Sequence, residues 1–313
     1  MNNFLYLEFN EVKFCIYSDN IKILEKQMQL WKETLNSVYL GRGKCLEAEW
    51  VVFSEKCDED YHFIDDSKKI VIHKYNKGSE VIETYNLIKE FIVKISLLYG
   101  YNWLHASSFR INNKTIVICG KKGFGKTTML LRALLKKKAY FIGNDQIPIK
   151  IVNDKLYTFL WRPDIKVRGT SLELFNLNLS SDKTYIMFPQ KEQLKAFDFK
   201  GYYEMTNQEV FPLFLKEIKF NKQLEEISKI IYLSDANNFL EVENIVNEIL
   251  ADQETVQPED LTTWNKNKKY WNKRIVGDIS SEYRNSLGKY LMSHSEIIEL
   301  LFQEEREKFL NRI

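Results

Sequence analysis

The chain has 313 residues, 44% of them hydrophobic and 14% aromatic, which is enough to build a sizeable core and excludes global disorder. Its length suits about two folding units. The 45 basic and 43 acidic residues leave a formal net charge of only +2, which gives no support to non-specific nucleic-acid binding.

Residues 1–78 read as short strands and turns, with strand candidates at Phe4–Phe9, Val12–Tyr17, Trp50–Phe53 and Ile70–His73. A helix fits Ile21–Leu35, where Ile21, Leu24, Met28 and Trp31 recur at helical spacing. His62 and His73 read as ordinary strand or surface residues. The start of the chain carries no basic region followed by a long apolar run, so no signal peptide is expected. No stretch approaches the length of a transmembrane helix, and a cytoplasmic protein without membrane partners is the expectation. The four cysteines, Cys15, Cys45, Cys57 and Cys119, lack the close spacing of a structural zinc site and suit a reducing compartment.

A stronger helical pattern begins at Ser79-Glu80 and runs to about Tyr99, with Gly100 as its C-cap. The period then changes. His105–Ile111 and Lys114–Cys119 look like two strands joined at the turn-forming pair Asn112-Asn113. A glycine-rich stretch, Gly120 to Thr127, follows the second strand, and a helix is expected from Thr127 to about Lys137. The next strand, Ala139–Ile142, ends at Gly143-Asn144-Asp145, and Ile149–Val152 and Lys155–Leu160 form a hairpin around Asn153-Asp154. Residues 228–233 read as a later core strand, and Asn265–Lys273 is basic and aromatic. The segment Ser281–Ile313 reads as helical, with Ile297, Ile298, Leu300, Leu301 and Phe302 as an apolar patch buried either within the chain or between subunits.

Strand, glycine loop, helix and strand form the unit that a phosphate-binding fold needs. The pattern GxxxxGK[ST] is met by Gly120, Gly125, Lys126 and Thr127. Glycines, Gly123 included, let the backbone turn sharply and turn N–H groups toward an anion. The helix that starts there adds its dipole and its unpaired N–H groups. Lys126 supplies a positive charge to the β- and γ-phosphates, and Thr127 offers a hydroxyl to Mg²⁺. The ordinary alternative is a glycine turn with a surface lysine.

Asp145 lies just past an apolar strand, where a carboxylate can reach Mg²⁺ or the nucleotide. Its plainer role would be that of a turn aspartate before Pro148. His105 and Arg168 are candidates of the same site; a lone histidine is more often structural, and a surface arginine is the default. A site arginine would stabilise charge on a transferred phosphoryl group.

These residues resemble the HPr kinase/phosphorylase family, in particular its catalytic domain. The match runs from Leu104-His105-Ala106 through Ile118 to Thr128 and Phe141 to Asp145, then Val167-Arg168-Gly169. The Leu-His-Ala opening is closer to the HPr-kinase-related enzymes encoded near peptide-modification genes, some of which phosphorylate serine on ribosomally made precursor peptides, lasso peptides included. The resemblance implies an α/β fold with a P-loop core of the HPr kinase and phosphoenolpyruvate carboxykinase type. The chain itself reads as a smaller α+β N-terminal domain over 1–78, an HPr-kinase-like catalytic domain over 79–264 and a helical extension over 265–313, the first and last without a counterpart in the family.

The resemblance further implies a kinase that uses ATP and Mg²⁺. Gly120, Gly123, Phe124, Gly125, Lys126, Thr127 and Thr128 would hold the nucleotide, and Thr127 and Asp145 the metal. His105 would sit near the γ-phosphate, and Arg168 matches the arginine of the family's Arg-Gly signature. Asn144 stands where the family has the aspartate proposed as general base, and an amide cannot take a proton near neutral pH. Asn144 would then orient the hydroxyl and Asp145 take the proton, or transfer activity would be lost. Lys166 stands where the family has an acidic residue two before its Arg-Gly pair, which weakens transfer of the phosphorylase half-reaction.

The acceptor expected from this is a serine or threonine of a peptide or protein, held in part by the strand-rich N-terminal region through strand addition. A small-molecule kinase and a nucleotide-sensing module without transfer chemistry are the alternatives. HPr kinases form hexamers, so the resemblance also allows a homo-oligomer.

Overall fold

The computed structural model describes residues 3–32, 35–58, 61–65, 68–75, 80–137, 139–161, 165–168, 174, 202–205, 224–234, 241–251 and 273–312. The chain is mixed α/β and divides into two compact units. One comprises Met1–Trp103, Pro148–Leu156 and Gln253–Tyr290; the other comprises Leu104–Ile147, Tyr157–Asp252 and Leu291–Ile313.

In the first unit, the two expected strands β1 (Asn3–Phe9) and β2 (Val12–Ser18) pair as a hairpin, and α1 (Ile21–Trp31) follows. Next come β3 (Ser37–Arg42), β4 (Trp50–Lys56), β5 (Tyr61–Asp65) and β6 (Ile70–Tyr75), in the sheet order β3-β1-β2-β4-β6-β5. His62 and His73 are paired positions of β5 and β6. α2 (Glu80–Ser96) continues into a single 3-10 turn that stops at Gly100, whose φ of 84° is left-handed.

Strand parity separates the two faces of this sheet. Leu5, Leu7, Phe9, Phe14 and Ile16 are buried, and Phe14 and Trp50 both pack on Phe91 of α2. The opposite face is aromatic. Tyr6 stacks on Tyr39 at 4.8 Å between ring centroids, and Tyr17 on Phe53 at 5.5 Å. Cys15 and Cys45 are buried there. No disulfide joins any of the four cysteines, and Cys119 is buried as its apolar strand suggests.

The same unit contains β7 (Asn102–Leu104) up to Trp103 and most of β11 (Ile147–Val152), which are neighbours in their sheet. Glu11 accepts a hydrogen bond from Lys150 at 2.6 Å and another from the Tyr101 hydroxyl. Burial alone would raise its carboxyl, but these two donors outweigh that and hold it below its ordinary value of 4.5.

In the second unit, β8 (Ser107–Ile111) and β9 (Lys114–Gly120) form a hairpin whose turn residues Asn112 and Asn113 both have positive φ. α3 (Lys126–Lys137) follows the glycine loop, and β10 (Tyr140–Asn144) pairs antiparallel with β8. The hairpin partner of β11 is β12 (Lys155–Thr158), whose Tyr157 and Thr158 pair with Glu226 and Glu225. A separate ribbon is formed by β13 (Ile165–Arg168) and β14 (Tyr202–Met205). β15 (Glu225–Ser234) lies parallel to β9. α4 (Val242–Ala251) also belongs to this unit, whereas α5 (Lys273–Ser293) belongs to the first unit as far as Tyr290.

The C-terminal segment departs from the helical expectation. Ile298–Phe302 is a strand, β16, parallel to β15. One 3-10 turn then leads to α6 (Arg306–Arg312). The apolar patch is therefore buried within the chain at Leu301, which is 1% exposed and shares a core with Phe109, Ile116, Ile118, Met129, Leu130, Leu134 and Phe309. At about 1.5–3 kcal/mol for each fully buried large side chain, that core fixes α3 and α6 on the strands β8, β9 and β16. The glycine loop is held between two anchored elements as a result.

Candidate functional site

Gly120 is the last residue of β9, with φ of 141°. A Cβ there would stand 2.8 Å from the carbonyl oxygen of Leu233, the register partner of Gly120 on β15. Glycine is thus required by the close approach of two parallel strand ends as well as by its torsion. Gly123 and Gly125 also have positive φ, at 92° and 88°. The loop is closed by Phe124 N–H donating to the carbonyl of Lys121 at 3.1 Å. Phe124 packs on the α3 core, and Thr128 is half-buried in the first turn of the helix.

Lys126 is 8% exposed. Its ammonium group donates to the carbonyls of Gly120 and Lys121, the latter at 3.4 Å, so the charge is carried inside the curl of the loop rather than in solvent. Lys121 points elsewhere, to Glu248 of α4 at 3.0 Å, and Tyr232 donates its hydroxyl to the same carboxylate.

Thr127 donates its hydroxyl to Asn144 Oδ1 at 3.3 Å. The same oxygen accepts from Ser107 at 2.7 Å. Ser107 and Asn144 are direct partners across the β8–β10 pairing, just beyond a register shift between Phe141 and Gly143. That shift depends on Gly143, where a Cβ would meet the Trp161 carbonyl and the Ile147 side chain at 2.7 Å each. Asn144 is 2% exposed, and both hydroxyls fix its amide with the oxygen toward Thr127.

The chain reverses at Asp145, whose φ of 72° lies in the left-handed region that aspartate tolerates better than most residues. This turn sets the carboxylate 3.5 Å from His105 Nε2 in an ion-pair geometry. His105 stands at the bend between β7 and β8 rather than inside the strand expected for it. The structure thus brings Lys126, Thr127, Asn144, Asp145 and His105 to one rim of the sheet. Arg168 is opposite Tyr202 in the β13–β14 ribbon, and its side chain lies outside the described residues.

Two residues with no signal in the sequence join this neighbourhood. Ser107 is visible only through its cross-strand register. Arg306 is visible only once β16 is known, and its Nη1 lies 3.2 Å from the place a Cβ on Gly125 would take.

The donor set suits a hard divalent cation. Thr127 and Asp145 offer oxygen atoms, while the Asn144 oxygen is already engaged by two hydroxyls. Among the described residues no group of three or more histidine, cysteine, aspartate or glutamate side chains could hold a metal ion. Mg²⁺ is bound mainly by phosphate and water oxygens with one or two protein ligands, which such a sparse set allows. Among the described residues no helix is long and apolar enough to cross a membrane.

Fold and site together define a mixed α/β chain with a glycine loop between a strand and a helix N-terminus. Neither the protein-family models nor the curated proteins give a match. Among solved structures the chain is similar to the Hpr(Ser) kinase/phosphatase from Coxiella burnetii, at 18% identity over 44% of this chain and 69% of that one, with a TM-score of 0.25.

Proposed function

We propose that this chain is an ATP- and Mg²⁺-dependent phosphotransferase acting on a hydroxyl, with a serine or threonine of a peptide or protein as acceptor. The observation that carries the reading is the loop itself. Its glycines meet left-handed torsions and close strand packing, and its lysine ammonium is held within the curl of the backbone. A loop built this way presents N–H groups and one fixed positive charge to a polyphosphate.

In this reading the loop amides and Lys126 hold the β- and γ-phosphates. Mg²⁺, near Thr127 and Asp145, would neutralise charge on the phosphates. The acceptor hydroxyl attacks the γ-phosphorus, its proton passes to the Asp145 carboxylate, and the bond to the departing ADP oxygen breaks. His105, 3.5 Å from Asp145, orients that carboxylate. Asn144 serves as a neutral hydrogen-bond acceptor that aims the Thr127 hydroxyl.

One observation favours a second reading, a nucleotide-binding module without transfer. Asn144 is buried and its oxygen is already engaged by two hydroxyls, so the residue facing Thr127 cannot act as a base. Incubation with γ-labelled ATP and candidate peptides separates the two. Label in a peptide that disappears in Asp145→Ala supports transfer. Nucleotide binding with no label in any acceptor supports the module.

A further inference from the structure

The parallel strands β9, β15 and β16 deliver their carboxyl ends to the same rim, since Leu233 is the register partner of both Gly120 and Leu301. The loop leaves from β9. From β16 the chain makes one 3-10 turn, Gln303–Glu305, and arrives at Arg306. Glu305 pins that turn by accepting from the Phe302 N–H at 3.3 Å. On the far side, Phe309 and Leu310 are buried in the core that also holds Met129, Leu130 and Leu134 of α3. Arg306 is therefore fixed from both directions to the body that carries the loop.

Its guanidinium lies against the loop at the glycine just before Lys126. Nη1 is 3.2 Å from the ideal Cβ position of Gly125, and Nη2 is 3.5 Å from the Ser234 carbonyl at the end of β15. A side chain at position 125 would have to displace this arginine as well as adopt a φ of 88°. The glycine thus makes room for a cation that arrives from the far end of the chain.

We propose that Arg306 is a second phosphate-contacting cation of the loop, engaging the terminal phosphates of a bound nucleoside triphosphate. The proposal rests on the nucleotide-binding reading above. Lys126 provides a point charge that is anchored to loop carbonyls, and Lys121 is drawn toward Glu248. A guanidinium adds a planar fork of donors that can engage two phosphate oxygens together, which an ammonium cannot. Its position at the rim, beside the glycine that precedes Lys126, favours the phosphate end over the base. The γ-phosphate adds negative charge, so the arginine discriminates triphosphate from diphosphate.

The test is equilibrium binding of fluorescent N-methylanthraniloyl ATP and ADP, with Mg²⁺, to the full chain and to Arg306→Ala, Arg306→Lys, Lys126→Ala and Lys308→Ala. Arg306→Ala should weaken the ATP analogue by about 10- to 100-fold, the range for a hydrogen bond to a charged group, and the ADP analogue by a smaller factor. Arg306→Lys should recover part of the loss. Lys308→Ala, an exposed change on the same helix, should bind both analogues as the parent does. A parent that binds through Lys126 while Arg306→Ala keeps its ATP and ADP affinities overturns this proposal alone. A parent that binds neither analogue removes the nucleotide reading and this proposal with it. Should Arg306→Ala melt abnormally, Arg306→Lys with a native melt decides: a lowered preference for ATP supports the role, and an unchanged preference overturns it.

Discussion

Asn144→Asp puts a carboxylate where the structure holds an amide of the same shape, at a position 2% exposed. Its Oδ1 would still accept from Ser107 at 2.7 Å and Thr127 at 3.3 Å. Hydrogen bonds to a charged acceptor are worth about 1.5–3 kcal/mol against roughly 1 for a neutral one, so the two hydroxyls return about 1–4 kcal/mol. Desolvating the carboxylate costs several kcal/mol. The net expectation without ligand is a loss of about 2–3 kcal/mol, or roughly 5–10 °C in melting temperature for a unit of this size. In the proposed function the cation sits near Thr127, which donates to this position, so with magnesium and nucleotide the sign should reverse. The stabilisation on adding both should exceed that of the parent protein. The transfer rate should rise by about tenfold or more, within the usual reach of a placed general base. The assays are thermal melts with and without magnesium nucleotide and initial rates with labelled ATP. A melt unchanged in both conditions, or a clear fall in rate, would refute the reasoning; the fall would show that the amide itself positions the hydroxyl.

Other perturbations follow from the packing. Gly143→Ala sets a Cβ 2.7 Å from the Trp161 carbonyl, a backbone atom that cannot swing away, so it should cost about 1–3 kcal/mol in a denaturant melt; a native midpoint would show that the bulge is not tight. Glu11 has a folded pKa below its ordinary value, so its contribution is present above the unfolded carboxylate range and is lost as pH falls through the folded value. Glu11→Gln should therefore flatten the loss of stability in melts taken from about pH 5 downward, and a slope identical to that of the parent would contradict the Lys150 and Tyr101 pairing.

Much of the loop was legible in the sequence because each of its residue types answers to a separate chemical demand. The β9 strand, the loop and α3 fall within a residue of their expected bounds. What escaped was set by pairing between distant segments. The run Ile298-Glu-Leu-Leu-Phe302 is too short for periodicity to separate helix from strand, and only its parallel register with β15 decides. With β16 unread, Arg306 had no address. β3 was not among the strand candidates; in the structure the ring of Phe4 lies over its Gly41 in the space a side chain would fill. Ser107 is one serine among many until the bulge brings it opposite Asn144. α1 ends at Trp31, where Gln27 accepts the indole N–H at 3.1 Å and donates to the Val81 carbonyl at 2.7 Å, a tie to α2 that local spacing does not contain.

Titration calorimetry with ATP and Mg²⁺, on the full chain and on Lys126→Ala, bears most directly on the central claim. Removing the lysine withdraws the one ammonium held inside the loop curl, so heat of binding should be evident for the parent and lost in the variant while both melt alike. Equal binding by the two proteins, or no uptake of any nucleoside triphosphate by the parent, would contradict it.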